Sequence, residues 1–342
     1  MKIGVVSKFP EEKDGIAIYS ENLCREMKNV VRIGDISSTK ADYRINFRSL
    51  GLGKRLAEIA EKEKLDILHV QHIAAGEFFG KYTLNMPVIL ALRQKVPVVV
   101  TLHEVHYKCT GPRQKIICAI QKAIVKKASA IIVHTPLQAD FLNRKYRTGK
   151  AECIYHGLKK TERRARKGKG ILFFGMINSG KGVEYLIEAM KELPGYRLRI
   201  VGKPINRDYA EKIRRAAGRA KNAEVKLGWV SEEEKKRELS KASIMVLPYV
   251  WAPYQSGVAA NAVSYGIPMV VTKAGWNWEM VEKFRCGEVV EARNAGAIAA
   301  GVRKIEGRYG DYIKGINRYR KEADWAEVAK KHVKIYRKIL ER

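Results

Sequence analysis

Ile171-Leu-Phe-Phe-Gly-Met-Ile-Asn-Ser-Gly-Lys-Gly-Val-Glu184 runs from four apolar residues through a glycine-marked turn to a lysine that opens a helical pattern. A buried strand, a loop and a helix in that order form an anion cradle. Gly175, Gly180 and Gly182 let backbone N–H groups approach an anion, and Lys181 adds a full charge at the positive end of the helix dipole. The spacing is not that of the nucleoside-triphosphate loop, since no hydroxyl follows Lys181, and it is not the dinucleotide fingerprint either. Phosphate holding is the chemistry this stretch suits.

On both sides of it, short apolar runs alternate with helical patterns. Ile3–Val6, Ile67–Val70, Val98–Leu102, Ala130–Val133 and Ala151–Tyr155 precede it, and Leu198–Val201, Glu224–Leu227, Ser243–Leu247 and Pro268–Val271 follow. Continuous Val/Ile/Leu runs separated by helices mark parallel sheets covered on both faces. The pattern predicts an α/β chain with two Rossmann-like, doubly wound parallel-sheet domains. Residues 159–170, nearly free of apolar side chains, read as an exposed basic hinge. Trp325 to Leu340 carries apolar residues at helical spacing and reads as a docked C-terminal helix.

A chain of 342 residues, 46% hydrophobic, has material for two cores. Its formal charge of +30 favours anionic partners, whether phosphates, nucleic acid or an acidic lipid surface. Abundant Lys, Arg and Glu also suit the surface ion-pair networks of a thermophile. The five cysteines show no Cys-x-x-Cys spacing, and the N-terminus reads as a buried strand, so reduced thiols in a cytoplasmic protein are expected. No run approaches ~20 uncharged apolar residues, so no membrane span is expected.

In doubly wound sheets, ligands bind at the carboxyl ends of the strands. The polar residues there are Asp14 and Gly15, His69 and His72, His103, His134, and His156 in the first half. In the second they are Gly175 to Lys181, Gly202, and Gln255-Ser256-Gly257-Val258. A spacing of three on a strand sends His69 and His72 to opposite faces, and no carboxylate or cysteine set completes a shell, so no metal is expected. Between Lys108 and Lys127, Ile116, Ile117, Ile120, Ile124 and Val125 form one helical face with basic residues largely elsewhere. That helix either packs on the first sheet or lies on anionic lipid.

With these residues in order, the chain resembles the retaining glycosyltransferases of family 4. Leu172 to Ala189 is similar to the family's phosphate loop and helix. Leu198-Arg-Ile-Val-Gly202, Val225 to Val230 and Ala242 to Tyr249 follow in the family's order, and Gln255 to Val258 with Tyr265 to Val271 is similar to its donor-binding junction. In the first half, Asp14 to Ala17, Val99 to His103 and Val133 to Thr135 match its glycine loop, catalytic-loop histidine and inner strand. The chain departs from the family at Met176 and Asn178, where an arginine is usual at one or the other. It departs again at Pro253 and Asn261, where glutamates are usual.

The resemblance implies the GT-B fold, in which two such domains face each other across a cleft. It assigns an acceptor domain over 1–158, a nucleotide-sugar donor domain over 171–322, and a tail over 323–342 that packs back on the first domain. It implies a metal-independent, retaining hexosyltransferase that needs no cofactor, with a nucleotide sugar and a hydroxyl acceptor, lipid-linked in some members, as partners. His103 and Lys181 are its catalytic candidates. Gly15, Gly175, Asn178, Lys181, Gly202, Gln255, Ser256, Gly257, Val258 and Asn261 fall at donor positions, and Asp14, His72 and His134 on the acceptor side. Specific nucleic-acid binding is not implied, and the net charge with the basic helix at 108–127 leaves open a cytoplasmic protein either free or peripheral on the inner membrane face. The alternatives are a nucleotide-sugar epimerase and a non-catalytic relative that holds a polyanion or lipid.

Overall fold

Apolar and β-branched runs become strands that pair only in parallel, because each consecutive pair is separated by a crossover. The computed structural model describes residues 1–9, 15–49, 51–72, 95–158, 161, 166–252 and 256–342. These residues divide into two units, Met1–Gly157 with Trp325–Arg342, and Leu158–Asp324.

The first unit holds strands β1 (Ile3–Val6), β2 (Val30–Asp35), β3 (Tyr43–Ile45), β4 (Ile67–His72), β5 (Val98–Leu102), β6 (Ala130–Val133) and β7 (Ala151–Cys153). Their spatial order is β3-β2-β1-β4-β5-β6-β7, with Ile3 in register with Val30 on one side and Ile67 on the other. All residues of β1, β4, β5 and β6 are buried. Ile3, Val5, Tyr19, Leu23, Ile67, Val99 and Ile132 form one cluster with Val328, Ala329, Ile335 and Tyr336 of the helix Trp325–Leu340. The last helix of the chain thus completes the core of the first unit.

The second unit holds β8 (Gly170–Phe174), β9 (Arg197–Gly202), β10 (Ala223–Leu227), β11 (Ile244–Leu247), β12 (Met269–Thr272) and β13 (Gly287–Val290), in the order β10-β9-β8-β11-β12-β13. In both units the strand order reverses beside the first strand, between β1 and β4 and between β8 and β11. Loops leaving those strands diverge to opposite faces and open a crevice for a ligand.

The structure adds strands that the apolar runs do not announce. β2 includes Arg32 and Gly34, β3 has three residues, and β13 is half-buried throughout. Edge strands and their neighbours lack the continuous apolar signature of central ones. A second difference concerns the thiols: Cys109 is bonded to Cys118, and reduced cysteines remain at Cys24, Cys153 and Cys286. Gly111 and Pro112 turn the chain into the helix Pro112–Lys127, and this returns Cys118 to within 6.1 Å of Cys109 between Cα atoms. The basic hinge is described only in part, with 159–160 and 162–165 outside the described residues.

Where the first unit takes up its last helix, Gly157 lies against the Trp325 indole, and a Cβ at 157 would sit 2.3–2.6 Å from three ring atoms. Overpacking of this kind costs about 1–3 kcal/mol. Gly157→Ala should therefore lower the denaturant midpoint of the unit that contains it, followed by tryptophan fluorescence; an unchanged midpoint would mean that the indole has room to move.

Candidate active site

The reversal of strand order in the second unit brings the loops after β8 and β11 into contact. Gly182 has left-handed backbone, φ 60°, and a Cβ there would lie 2.1 Å from the Pro248 carbonyl oxygen. Only glycine meets both conditions without strain. The Gly180 carbonyl accepts from the N–H groups of Val250 and Trp251 at 2.9 and 3.1 Å, which ties the glycine loop to the segment after β11. Gly175 and Gly202 end adjacent strands so closely that a Cβ on Gly202 would meet the Gly175 oxygen at 1.7 Å.

This backbone encloses Lys181, which ends the short turn Ser179–Lys181 and is 7% exposed. Its Nζ lies 3.8 Å from the centroid of the Tyr249 ring, a cation–π geometry. Burial disfavours the charged amine and pushes its pKa down to about 7. Tyr249 continues the cluster: its hydroxyl is 3.1 Å from Ser256 Oγ, and its carbonyl accepts from the Thr272 hydroxyl. Ser256 caps the helix Gly257–Tyr265, its Oγ accepting from the Val258 N–H at 3.2 Å, while its own N–H donates to Asn277 Oδ1 at 2.7 Å. Lys181, Tyr249, Ser256 and Asn277 thus form one continuous group beside a helix N-terminus.

Of the expected donor residues, Gly175, Asn178, Lys181, Gly202, Ser256, Gly257, Val258 and Asn261 lie in this unit. The Val258 N–H is occupied by the Ser256 cap and is not open to a phosphate in this arrangement, because a serine N-cap satisfies the donor itself. Gly257 is exposed at the helix head, Asn261 is half-buried one turn further on, and Asn178 precedes the Ser179–Lys181 turn, its carbonyl accepting the Lys181 N–H at 2.9 Å. Gln255 and Asp14 lie outside the described residues. Tyr249 and Asn277 are site residues that the sequence reading missed. Tyr249 had a usable signal in its place directly after an apolar strand, whereas Asn277 gives none until the strand order is known.

In the first unit the expected histidines His72, His103 and His134 are buried, and His103 and His134 are engaged with each other. His103 Nε2 lies 2.9 Å from Gln71 Oε1 and its Nδ1 lies 3.2 Å from His134 Nε2, while His134 Nδ1 donates to the Ile154 carbonyl at 3.0 Å. Both ring nitrogens of both histidines are therefore used inside the unit, and a hydroxyl reaching either imidazole would have to displace a protein partner. Burial holds His103 well below the ordinary imidazole range, His134 at about 3 and His72 at about 4, so these rings are neutral near pH 7. His69, in turn, is 2.6 Å from the Tyr336 hydroxyl and 2.8 Å from the Thr101 hydroxyl. Gly15 is the exposed first residue of the helix Gly15–Glu26. Among the described residues, no three His, Cys, Asp or Glu side chains are placed to hold a metal ion.

Comparison with known proteins bears on the family and the fold. Residues 14–161 match the model of Glycosyltransferase Family 4, and residues 168–306 match that of Glycosyl transferases group 1. An uncharacterised glycosyltransferase of Methanocaldococcus jannaschii is 32% identical over 182 residues, covering 51% of this chain and 46% of that one. A GDP-mannose:glycolipid 4-beta-D-mannosyltransferase of Xanthomonas campestris is 26% identical over 201 residues, covering 56% of this chain and 55% of that one. The chain thus spans about half the length of the curated relatives it matches. Anabaena HepE, solved in complex with UDP, shares the fold at a TM-score of 0.76 and 13% identity over 98% of this chain and 99% of its own. Two parallel-sheet α/β units with a glycine cradle at the switch point of the second define a GT-B fold of the glycosyltransferase class. Within that class, the chain belongs to glycosyltransferase family 4.

The lowered pKa of Lys181 gives its site a pH signature. Below about 7 the amine is charged, and above it the free protein increasingly holds a neutral amine that a bound dianion would reprotonate. Binding of a nucleoside diphosphate at about pH 8 should therefore take up close to ~1 proton, and far less near pH 6. Calorimetry at pH 8 in two buffers of different ionisation enthalpy reads this directly. Identical heats in both, or an uptake that persists in Lys181→Ala, would remove Lys181 from the anion's contacts.

Proposed function

We propose that this chain transfers a hexosyl group from a nucleoside-diphosphate sugar to a hydroxyl acceptor, with retention of anomeric configuration and without a metal. The observation that carries the proposal is Lys181, a buried amine over the Tyr249 ring, next to the head of the helix Gly257–Tyr265. Negative charge grows on the diphosphate as the bond from the sugar's anomeric carbon to the phosphate oxygen breaks. An amine already stripped of water stabilises that charge without reorganising solvent. In the retaining scheme, the acceptor oxygen bonds to the same face of the anomeric carbon as the departing phosphate, and the acceptor's proton passes to the phosphate oxygen. No protein carboxylate nucleophile enters that scheme, in contrast to the double-carboxylate route of retaining hydrolases.

The names of the relatives support a nucleotide-sugar donor and a glycolipid acceptor, since one is a GDP-mannose:glycolipid mannosyltransferase and HepE is solved with UDP. Met176, Pro253 and Asn261 stand where the family usually has an arginine and two glutamates, so the contacts to ribose and sugar differ from the usual set. In the first unit, His103 and Gly15 are the candidates for the sugar and acceptor side. Arg199, held between Glu224 and Glu238, and the Cys109–Cys118 bond fit an intracellular protein adapted to heat, a setting in which ion-pair networks and disulfides occur together.

A panel of nucleotide sugars read by mass spectrometry tests the activity, and NMR of the product's anomeric proton tests retention. Removing one donor to a developing oxyanion costs roughly 2.7–4 kcal/mol, so Lys181→Ala should lower the rate by about 10²–10³. Full transfer by that variant would sink the mechanism. If no nucleotide sugar reacts and only polyanions raise the melting temperature in a salt-sensitive way, the chain is a binding protein instead.

One surface favours a lipid-linked acceptor. On the helix Pro112–Lys127, Ile124 and Val125 are buried as a packed face requires, but Ile116 is 61% exposed, and Lys115 and Lys122 of the same helix are exposed too. An exposed apolar side chain on a helix that also exposes lysines suits an anionic membrane surface, as do the +30 net charge and the glycolipid acceptor of the Xanthomonas relative. Among the described residues no helix is long and apolar enough to cross a membrane. Ile116→Glu should reduce co-sedimentation with vesicles rich in phosphatidylglycerol; unaltered binding would place the contact elsewhere.

A further inference from the structure

The helix Pro112–Lys127 is anchored along its second half and bare at its start. Ile124 and Val125 are fully buried, and Gln121 grips the segment that leaves β5: its Oε1 accepts the His106 N–H at 2.8 Å, and its Nε2 donates to the His106 carbonyl at 3.1 Å. Towards the N-terminus that support ends. Among the described side chains of residues 112–117 none is buried, and Ile116 is 61% exposed. Gly111 at the N-cap brings no side chain to accept from the first N–H groups, and the first turn has no acidic residue to complement the helix dipole. A helix start with neither packing, cap nor counter-charge frays readily.

A covalent tie opposes that fraying. Cys118, at the inner end of the bare stretch and 8% exposed, is bonded to Cys109 on the segment after β5. The bond spans nine positions and shuts the helix start inside a small ring, which removes most of the conformations it could unravel into. The exposed contact of Thr110 with Gln114 at 3.2 Å adds little. Cys109 is the more accessible of the two sulfurs, being partly exposed, and Lys145 Nζ lies 3.4 Å from its Sγ. A cation at that distance favours the thiolate that forms when the bond opens.

We propose that the Cys109–Cys118 bond is a redox latch on the start of the helix Pro112–Lys127: closed, it presents Lys115 and Ile116 as an ordered surface, and opened by a dithiol it releases them. A thiolate of the reductant attacks Cys109 Sγ, the S–S bond breaks, and Cys118 leaves with the electron pair as a thiolate. The second thiolate of the reductant then attacks its own sulfur in the mixed disulfide and expels Cys109 as a thiolate beside Lys145. The protein's disulfide gains two electrons, the dithiol is oxidised to a cyclic disulfide, and the two protons of the dithiol pass to the cysteines or to solvent. The consequence for lipid rests on the membrane role proposed for Ile116, whereas the latch itself does not.

The test treats the full, folded chain with dithiothreitol, then alkylates it and maps the opened cysteines by mass spectrometry. Cys109 and Cys118 should both be modified. Hydrogen–deuterium exchange of the amides of residues 115–118 should then quicken by at least about tenfold while residues 121–127 stay unchanged, and Cys118→Ser should show the same pattern without reductant. Reduction and substitution reach the open state independently, so a variant that fails to fold leaves the reduced wild-type chain to decide. A bond that opens only when the chain unfolds overturns the proposal, and so does opening that leaves exchange at 115–118 unaltered. Reduction should also lower co-sedimentation with phosphatidylglycerol vesicles at least about threefold. Equal binding by the oxidised and reduced chains overturns the release of the surface. An oxidised chain that ignores the vesicles overturns the membrane role of Ile116, and the exchange measurement then decides the latch on its own.

Discussion

Removing one ammonium group from water is the constraint around which the second unit is arranged. Lys181 is buried only because the loops after β8 and β11 close on each other, and they close because Gly182 has no side chain to keep the Pro248 carbonyl away. Those two loops are neighbours because β8 lies beside β11 in a sheet whose order reverses at that point. The desolvation cost of the amine is offset in part by the Tyr249 ring, and the same ring passes on the contact to the helix cap at Ser256. Strand order, glycine placement and a perturbed amine are thus one arrangement seen at three scales.

The first unit meets a related problem with neutral groups. Its interior beside the strand ends holds His69, Gln71, Thr101, His103 and His134, all buried, and it stays stable by linking them to one another and to the Ile154 carbonyl and the Tyr336 hydroxyl. Imidazoles suit such a place because each offers a donor and an acceptor without a permanent charge. The cost is that protonating any one ring puts an unsolvated cation among its neighbours, which is why burial and nearby histidines lower these pKa values together.

How much of this the sequence discloses depends on whether a feature is local. Central strands are legible because burial on both faces demands unbroken runs such as Val98–Leu102, and the glycine loop is legible because strand, turn and helix head are contiguous in Ile171 to Glu184. Peripheral strands such as β3 and β13 escape because half-exposed segments carry mixed residues. The Cys109–Cys118 bond escapes because its spacing has meaning only once the helix start at Pro112 is fixed. Asn277 is the extreme case, lying 21 residues from Ser256 in sequence and within hydrogen-bond reach in space only because β11 and β12 are adjacent. The engagement of the Val258 N–H is local, two residues from the Ser256 cap that takes it, yet it shows only once the start of that helix is fixed.

The helix Trp325–Leu340 belongs to the core of the first unit although the whole second unit precedes it in the chain. During synthesis, residues 158–324 form a continuous segment that has all its own contacts as soon as it emerges, whereas Met1–Gly157 waits with part of its apolar surface uncovered until the helix Trp325–Leu340 is made. The domain translated first is therefore the domain completed last. Premature termination directly after Asp324 would leave the second unit whole and the histidine-lined one without Tyr336, its hydrogen bond to His69 and the apolar face of that helix.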